Sequence, residues 1–238
     1  MRILAIDAGN SRVKWGLSEG GQWRALGAVA VEALDGLAGD DAWRGLIAPQ
    51  RIAVANVAGP DVRNRLATLM GRWAIAPTWL RATAAACGVT SAYTDPGQLG
   101  VDRWAALVAA RSRHRGDTLV VLAGTATTID HLDAGGVFRG GMILPGTRLM
   151  KQALHQNTAG LPLAPGEYRD PPRSTADAIE TGCRIAQVAA IERAYRRLPK
   201  GAACLMSGGA VADIVALLDF HAEAVEHLVL EGIVLLAQ

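Results

Sequence analysis

The sequence predicts an α/β protein made of two related halves, residues 1–116 and 117–238, and three observations indicate this fold class. Half of the residues are apolar and 27 of 238 are glycine, a composition that suits a packed α/β protein with tight turns. Two segments, residues 4–17 and 119–132, align without gaps at an offset of 115 residues. Strand and helix patterns also alternate along the chain. Together these features favour duplication of one α/β unit.

The two aligned segments share one order of features. Each has an apolar strand, a glycine-containing turn with hydroxyl or amide side chains, a returning strand and a second turn, Gly20-Gly21 or Gly135-Gly136. Such a hairpin presents backbone N–H groups at its tip, where they can hold phosphate oxygens. Chance similarity between two glycine-containing hairpins is the alternative, but the number of matched positions favours duplication. Two such tips facing one another could bind a polyphosphate.

The rest of the chain predicts further elements. Strands are expected at residues 51–57 and 204–207, and helices at 61–73, 99–113 and 174–198. Asp61 is predicted as the N-cap of the first of these helices, and Ser174 is the capping residue predicted for the last. The proline-rich stretch 161–172 predicts a long loop.

Charge and composition exclude several classes of function. The net charge is only +2, so no dominant attraction to a nucleic-acid backbone is indicated. No apolar run approaches the ~20 residues that cross a bilayer, and the first residues contain an acid where a signal peptide would be apolar. The three cysteines include no CxxC pair, which favours a reducing compartment. We therefore expect a cytoplasmic protein that binds neither nucleic acid nor membrane.

P-loop, GxGxxG and protein-kinase motifs are all missing from the sequence. The remaining candidates for functional residues are carboxylates beside glycine turns. Asp7 ends an apolar strand beside Gly9-Asn10-Ser11, where a carboxylate can orient a hydrated Mg²⁺ while the turn donates to phosphate. The alternative is an aspartate that only stabilises its own turn. Lys14 either adds a positive charge near the phosphates or faces solvent.

Two further motifs complete the candidate site. Thr125 in the second tip is a candidate phosphate contact, whereas Thr127 and Thr128 are expected to be strand residues. Asp102 and Arg103 follow each other at the start of a predicted helix, where an acid is common for electrostatic reasons alone. The pair is also suited to accept a proton from a hydroxyl and to hold a carboxylate or a travelling phosphoryl group.

The motifs together resemble the type III pantothenate kinase family, also called the Bvg accessory factor family. The resemblance covers nearly the whole chain and rests on the order and spacing of residues 7–11, 100–103, 124–130, 140–146 and 207–210. It implies the ribonuclease H-like fold of acetate and sugar kinases, Hsp70 and actin, with ATP in a cleft between the halves. It also implies a homodimer that uses Mg²⁺ with ATP to phosphorylate pantothenate, the first step of coenzyme A synthesis.

The resemblance implies roles for individual residues. Asp102 would be the general base. The ATP-binding residues would be Asp7, Ala8, Gly9, Asn10, Ser11, Arg12, Val13, Lys14, Thr125, Ser207, Gly208 and Gly209. The pantothenate site would be lined by Tyr93, Gly100, Val101, Asp102, Arg103 and Thr175.

One residue departs from the family pattern. Family members usually carry an aspartate two residues before the second Gly-Thr, where it helps to bind K⁺ or NH₄⁺, but this chain has Leu122. The monovalent-cation site is therefore in doubt. Leu122 also supports the alternative function, a catalytically weakened nucleotide-binding regulatory protein on the same fold. Against that alternative, Asp7, Asp102 and Arg103 are all present.

Overall fold

The computed structural model describes all residues, 1–238, and shows two compact units. The first unit contains residues 1–113, 136–138 and 227–238, and the second contains 114–135 and 139–226. The strands are β1 Arg2–Ala8, β2 Arg12–Glu19, β3 Gln22–Ala30, β4 Arg51–Asn56, β5 Thr78–Trp79, β6 Ala85–Ala86, β7 Val89–Ser91, β8 Thr118–Ala123, β9 Ala126–Leu132, β10 Val137–Pro145, β11 Ala203–Ser207 and β12 Glu223–Ala224. The α-helices are α1 Asp41–Arg44, α2 Gly59–Met70, α3 Val101–Arg113, α4 Thr147–Asn157, α5 Thr175–Tyr195, α6 Val211–Val215 and α7 Leu228–Leu236, and 3₁₀ helices occupy Val31–Gly39 and Pro96–Gln98.

The sheet of the first unit has the strand order β3-β2-β1-β4-β5. β1 and β2 form an antiparallel hairpin, β4 lies parallel to β1, and β5 lies parallel to β4. Its core includes a row of three tryptophans, with ring centroids of Trp15 and Trp43 5.4 Å apart and those of Trp43 and Trp73 5.3 Å apart, both edge to face. This geometry suits the quadrupoles of aromatic rings.

The sheet of the second unit repeats this arrangement. It is part of a seven-stranded sheet of order β12-β11-β8-β9-β10-β7-β6, in which the hairpin β8–β9 takes the place of β1–β2 and the parallel strand β11 takes that of β4. Helix α5 covers this sheet with Val188 and Ile191, which pack in one core with Met206 of β11. The mixed α/β sheets in two halves match the predicted fold class and the duplication that the repeat predicts.

Helix α7 lies in the first unit although it ends the chain. It packs against α3, β1 and β4, and Gly232 lies so close to the backbone of Ala105 on α3 that an added Cβ would overlap the Ala105 carbonyl. This close helix contact explains why residues 227–238 group with the first unit. The compact units differ in these residues from the contiguous halves 1–116 and 117–238, which remain a prediction about domains.

Most predicted elements are present, with one wrong cap. Ser174 caps α5 as expected, since its hydroxyl accepts a hydrogen bond from the Asp177 amide at 3.1 Å. Asp61 does not cap α2, because the helix begins earlier, at Gly59, and Ala58 is the N-cap. Pro60 at the start of the helix explains the earlier beginning, since a proline fits the first turn without needing an N–H partner. Residues 161–172 lack helix and strand, as predicted for a long loop.

All three cysteines are free, and burial raises the pKa of the Cys204 thiol to about 12. None of the helices has both the length and the apolar character that crossing a membrane requires.

Candidate active site

The turn between β1 and β2 forms the first part of the candidate site. Residues 7–14, the predicted ATP-binding segment, run from the end of β1 through this turn into β2. The turn is closed by a hydrogen bond from the Gly9 amide to the Arg12 carbonyl at 3.1 Å. The Val31 amide donates to the Ser11 carbonyl, also at 3.1 Å, and so ties the turn to the end of β3. The segment therefore has a defined backbone before any ligand binds.

Asp7 has an unusual electrostatic environment at the end of β1. Burial and, to a smaller extent, the negative charge of Asp102 raise the pKa of its carboxyl from 3.8 to about 7, although the positive charge of Lys14 opposes this rise. Lys14 is the direct partner of Asp7 across the hairpin. Asp7 therefore interacts electrostatically with both Lys14 and Asp102, although Asp102 belongs to helix α3 and the other two residues to the β1–β2 hairpin.

A divalent cation fits this arrangement. Two carboxylates that repel each other gain most from a hard cation, and oxygen atoms are the ligands that Mg²⁺ prefers. Asp7, with its raised pKa, would hold Mg²⁺ through a water molecule, and the ion would neutralise charge on phosphate oxygens.

The first turn of α3 fixes the orientation of Asp102. The helix begins with a hydrogen bond from the Trp104 amide to the Gly100 carbonyl at 2.9 Å. One carboxylate oxygen of Asp102, Oδ1, accepts a hydrogen bond from the Arg103 amide at 2.8 Å. A Cβ at position 100 would lie only 2.6 Å from that oxygen, so a glycine leaves the carboxylate its place. The other carboxylate oxygen, Oδ2, takes no part in this hydrogen bond and is the atom that could accept a proton from a substrate hydroxyl.

Arg103 and Tyr93 lie on a buried aromatic ring in the first unit. The Tyr93 and Phe138 ring centroids are 5.0 Å apart, and the guanidinium carbon of Arg103 lies 5.8 Å from the Phe138 centroid. Arg103 is only 4% exposed and Phe138 is fully buried. The structure therefore brings together two of the residues predicted to line the pantothenate site. The only feature of the sequence that singles out Phe138 is the repeat, in which an aromatic residue, Trp23 or Phe138, stands two residues after each Gly-Gly turn.

The second tip lies between β8 and β9 and contains Gly124 and Thr125. The Gly124 amide donates to the Ala126 carbonyl at 3.0 Å. The Gly146 amide donates to the Thr125 carbonyl at the same distance, and an added Cβ on Gly146 would overlap the Gly124 carbonyl. Thr125 is partly exposed, whereas Thr127 and Thr128 are buried in β9, as predicted for strand residues.

The turn after β11 lies against the same tip. Gly208 has a φ of +115°, and an added Cβ would overlap the carbonyl of Ala123 at the end of β8. The Ser207 hydroxyl donates to the Glu226 carbonyl at 3.3 Å. The predicted residues Ser207, Gly208 and Gly209 thus lie beside the Gly124–Thr125 tip, within the second unit.

The predicted substrate residue Thr175 also belongs to the second unit. It is the first residue of α5 and is exposed. The loop that precedes α5 packs closely on this helix, because Gly166 touches the backbone of Ala176 and the Glu167 amide donates to Asp177 at 2.9 Å. Thr175 therefore stands where this loop meets the helix.

The surroundings of Leu122 do not fit a monovalent cation. Leu122 is in register with Thr128 on β9 and with Ser207 on β11, and it is partly buried. In the repeat it occupies the position that Asp7 has in the first hairpin. Its isobutyl side chain supplies no oxygen ligand where the family pattern has a carboxylate. No step of the reaction is therefore assigned to such an ion.

A cleft of about 340 Å³ lies elsewhere in the first unit. Its lining includes Ser18, Trp23, Arg113 and Glu231, and Arg113 pairs with Glu231 at 2.7 Å. Arg113 ends α3 and Asp102 begins it, so the two positions are separated by roughly 16 Å along the helix at 1.5 Å per residue. The cleft is thus distinct from the candidate active site.

Comparisons with known proteins match the chain to one family. A family model described as type III pantothenate kinase matches residues 3–197. The type III pantothenate kinase of Aromatoleum aromaticum is 48% identical over 99% of this chain and 98% of its own length. That of Dechloromonas aromatica is 46% identical over 97% of each chain.

Solved structures agree on the fold. A Baf family protein from Campylobacter jejuni has a TM-score of 0.61 at 21% identity, covering 96% of this chain and 94% of its own. A Sinorhizobium meliloti protein named as a 2-dehydro-3-deoxygalactonokinase has a TM-score of 0.63 at 15% identity, covering 98% and 97%. At these identities the likeness shows only the fold, which is that of the actin, Hsp70 and sugar kinase ATPases. The family match and the two close relatives show more, and the chain belongs to the type III pantothenate kinase family.

Proposed function

We propose that this protein transfers the γ-phosphoryl group of ATP to the terminal hydroxyl of pantothenate, giving ADP and 4′-phosphopantothenate, the first step of coenzyme A synthesis. One observation carries the proposal. Asp102 has one oxygen fixed by its own helix and the other available, and it is coupled electrostatically to Asp7 at the β1–β2 turn. A general base and a phosphate-binding turn are therefore neighbours within the first unit. Membership in the family supports pantothenate as the substrate.

Asp102 and Arg103 perform the chemistry at the acceptor. Oδ2 of Asp102 accepts the hydroxyl proton while the hydroxyl oxygen forms a bond to the γ-phosphorus, and the bond between that phosphorus and the bridging oxygen of ADP breaks. The Arg103 guanidinium, buried against Phe138, holds the carboxylate of pantothenate or the travelling phosphoryl group. The Tyr93 ring packs against the same Phe138 ring, with centroids 5.0 Å apart, and would line the pantothenate site beside Arg103.

Both glycine-containing tips would contact ATP. In the first unit, residues 7–14 supply backbone amides, the Lys14 ammonium and the Asp7 carboxylate, which is suited to a hydrated Mg²⁺. In the second unit, Thr125 contacts phosphate, and Ser207, Gly208 and Gly209 lie near the adenosine. Donors fixed in advance stabilise charge on the moving phosphoryl group at little cost in reorganisation.

We also propose that the reaction needs no monovalent cation. Leu122 removes the carboxylate on which such a site would depend, and its register partners Thr128 and Ser207 offer only hydroxyls. A hydroxyl is a neutral ligand and compensates less of the charge of K⁺ than a carboxylate does. Asp7 and Asp102, which belong to the first unit, are both present.

The same residue favours the second candidate function, a nucleotide-binding regulatory protein with weak or no catalysis. Loss of a cation site removes positive charge near the phosphates, which would slow transfer without preventing nucleotide binding. The two candidates differ in one result, because only the kinase consumes ATP in proportion to added pantothenate.

Assembly as a homodimer in the cytoplasm belongs to the proposal as well. Four large apolar side chains of the second unit are exposed, Met142 by 41%, Ile143 by 64%, Leu163 by 53% and Ile185 by 44%. Exposed apolar side chains mark an interface where they form one contiguous patch, which a dimer would bury. Ile143→Asp should therefore reduce the particle mass measured by light scattering, whereas a wild-type protein that is already monomeric would contradict the dimer.

The test of the function is a substrate panel. Purified protein with MgATP is given pantothenate, pantetheine, glycerol or no acceptor, and ADP and phosphorylated products are measured by mass spectrometry. The proposal expects 4′-phosphopantothenate as the main product and ADP in equal amount. ATP binding without any phosphorylated product would favour the regulatory protein, and preferential phosphorylation of another acceptor would overturn the substrate assignment.

A further inference from the structure

Gln187 is a buried polar residue whose function the reaction described above does not explain. It lies on α5, is completely inaccessible to solvent, and is followed by Val188 of the apolar core. Its side-chain amide donates a hydrogen bond to the Pro145 carbonyl at 2.8 Å and approaches Met150 Sδ at 3.5 Å. The other half of the amide, Oε1, is buried and has no donor.

The orientation of this amide follows from its partner. The Pro145 carbonyl can only accept, so the NH₂ group of Gln187 must face it and Oε1 must point away. A buried amide with half of its hydrogen-bonding capacity unused destabilises the fold, by about 1–3 kcal/mol for an unmade bond. Stability of the core therefore does not explain why position 187 is a glutamine. Its hydrogen bond to the Pro145 carbonyl is the interaction that an apolar side chain could not supply.

Pro145 leads directly into the turn that supports the second tip. The next residue, Gly146, donates to the Thr125 carbonyl at 3.0 Å and accepts from the Met150 amide at 3.0 Å, which starts α4. Gly146 is buried against the carbonyl oxygens of Gly124 and Thr125, with no room for a side chain. A shift of Pro145 would thus move Gly146, and Gly146 cannot move towards the tip without overlap.

We propose that Gln187 is a positioning residue for nucleotide binding: through Pro145 and Gly146 it holds the Gly124–Thr125 tip in the conformation that contacts phosphate. This inference rests on the proposed function insofar as Thr125 contacts ATP. It does not depend on which hydroxyl compound accepts the phosphoryl group. Gln187 itself touches no substrate.

The test compares two deletions of hydrogen bonds from the same helix. Gln187→Met keeps an unbranched side chain of similar length but has no donor. Tyr195→Phe is the matched control, because the Tyr195 hydroxyl also donates to a carbonyl, that of Ala202, at 2.8 Å, far along α5 from the turn. Melting temperature, the Kd of ATP by calorimetry, and the KM values of ATP and pantothenate are measured for both variants.

Gln187→Met should raise the Kd and the KM of ATP about tenfold, the upper range for one hydrogen bond, and leave the KM of pantothenate within about twofold. Tyr195→Phe, which also loses one hydrogen bond to a carbonyl, should lower the melting temperature but leave the Kd of ATP within about twofold. Equal ATP affinity in the two variants would overturn the inference. Wild-type protein that binds ATP without phosphorylating pantothenate would refute the proposed function but leave this comparison of affinities valid.

A second variant covers the case in which Gln187→Met does not fold. Gln187→Glu can donate to the Pro145 carbonyl only when its carboxyl is protonated. The ratio of its ATP Kd to that of wild type at each pH should therefore fall towards one as the pH is lowered. A ratio that stays constant and well above one from pH 5 to pH 8 would contradict the role of the donated hydrogen bond, whereas a ratio near one throughout would mean that burial keeps the carboxyl protonated and donating.

Discussion

Asp7→Asn should stabilise the ligand-free protein, and more so at high pH. Burial, with the charge of Asp102, raises the carboxyl pKa of Asp7 from 3.8 to about 7, so the folded state holds its proton more tightly than the unfolded state does. The stability from this proton is fully present below pH 3.8 and is lost as the pH rises through about 7. Above that pH the folded protein contains a partly buried, repelled carboxylate, which asparagine removes.

The pKa sets the magnitude. At 1.36 kcal/mol per pKa unit, the raised pKa of Asp7 lowers the stability by at most about 4 kcal/mol at pH 8, and by about 1.6 kcal/mol at pH 5, where only the unfolded state is ionised. Partial contact of Asp7 with solvent screens the charge and lowers both values. The gain in unfolding free energy of Asp7→Asn over wild type should therefore increase by up to about 2 kcal/mol between pH 5 and pH 8.

Urea unfolding at both pH values, without Mg²⁺ or nucleotide, measures this increase directly. Any effect on stability of replacing protonated aspartate by asparagine is the same at pH 5 and pH 8. It therefore cancels when the gain at pH 5 is subtracted from the gain at pH 8. Asp41→Asn is the control, since the Asp41 side chain is fully exposed and its substitution should give the same small change at both pH values. A gain from Asp7→Asn that does not change with pH would refute the electrostatic account of the site.

Three further substitutions test other parts of the site. Gly146→Ala should lower the melting temperature and the affinity for ATP, because its Cβ would overlap two carbonyl oxygens. Its control is Gly182→Ala, at a position on α5 with open space, which should raise the melting temperature slightly. Arg103→Lys should raise the KM of pantothenate at least about tenfold and leave the Kd of ATP unchanged, because an ammonium group cannot form the paired contacts of a guanidinium. Wild-type activity should be equal in potassium and sodium buffers, and Leu122→Asp should make it depend on potassium; potassium dependence of the wild type would disprove the cation proposal.

The repeated hairpins could be predicted from the sequence, because apolar strands and glycine turns are local patterns. The aligned segments, residues 4–17 and 119–132, correspond to β1–β2 and β8–β9, which occupy the same places in their two sheets. The start of α2 was wrong by two residues because proline at the first helical turn competed with the aspartate as the start signal. Local chemistry thus predicted the elements better than their ends.

Contacts between distant segments could not be predicted in the same way. The electrostatic coupling of Asp7 and Asp102 depends on where α3 packs, and α7 joins the first unit through a contact of Gly232 with Ala105 that no local pattern reveals. Gln187 has no signal in the sequence, because a glutamine within a helix is usually solvent-exposed. The chemical groups of the site were therefore visible in the sequence, and the residues that support them were not.

Parallel measurement of ADP and 4′-phosphopantothenate in wild type and in Asp102→Asn tests the central claim most directly. The account predicts equal amounts of both products from wild type, a loss of turnover of at least about 10²-fold in Asp102→Asn, the contribution typical of a general base, and an unchanged Kd of ATP. Undiminished turnover in Asp102→Asn would contradict the assignment of the base, and wild-type ADP production that does not respond to pantothenate would contradict the function itself.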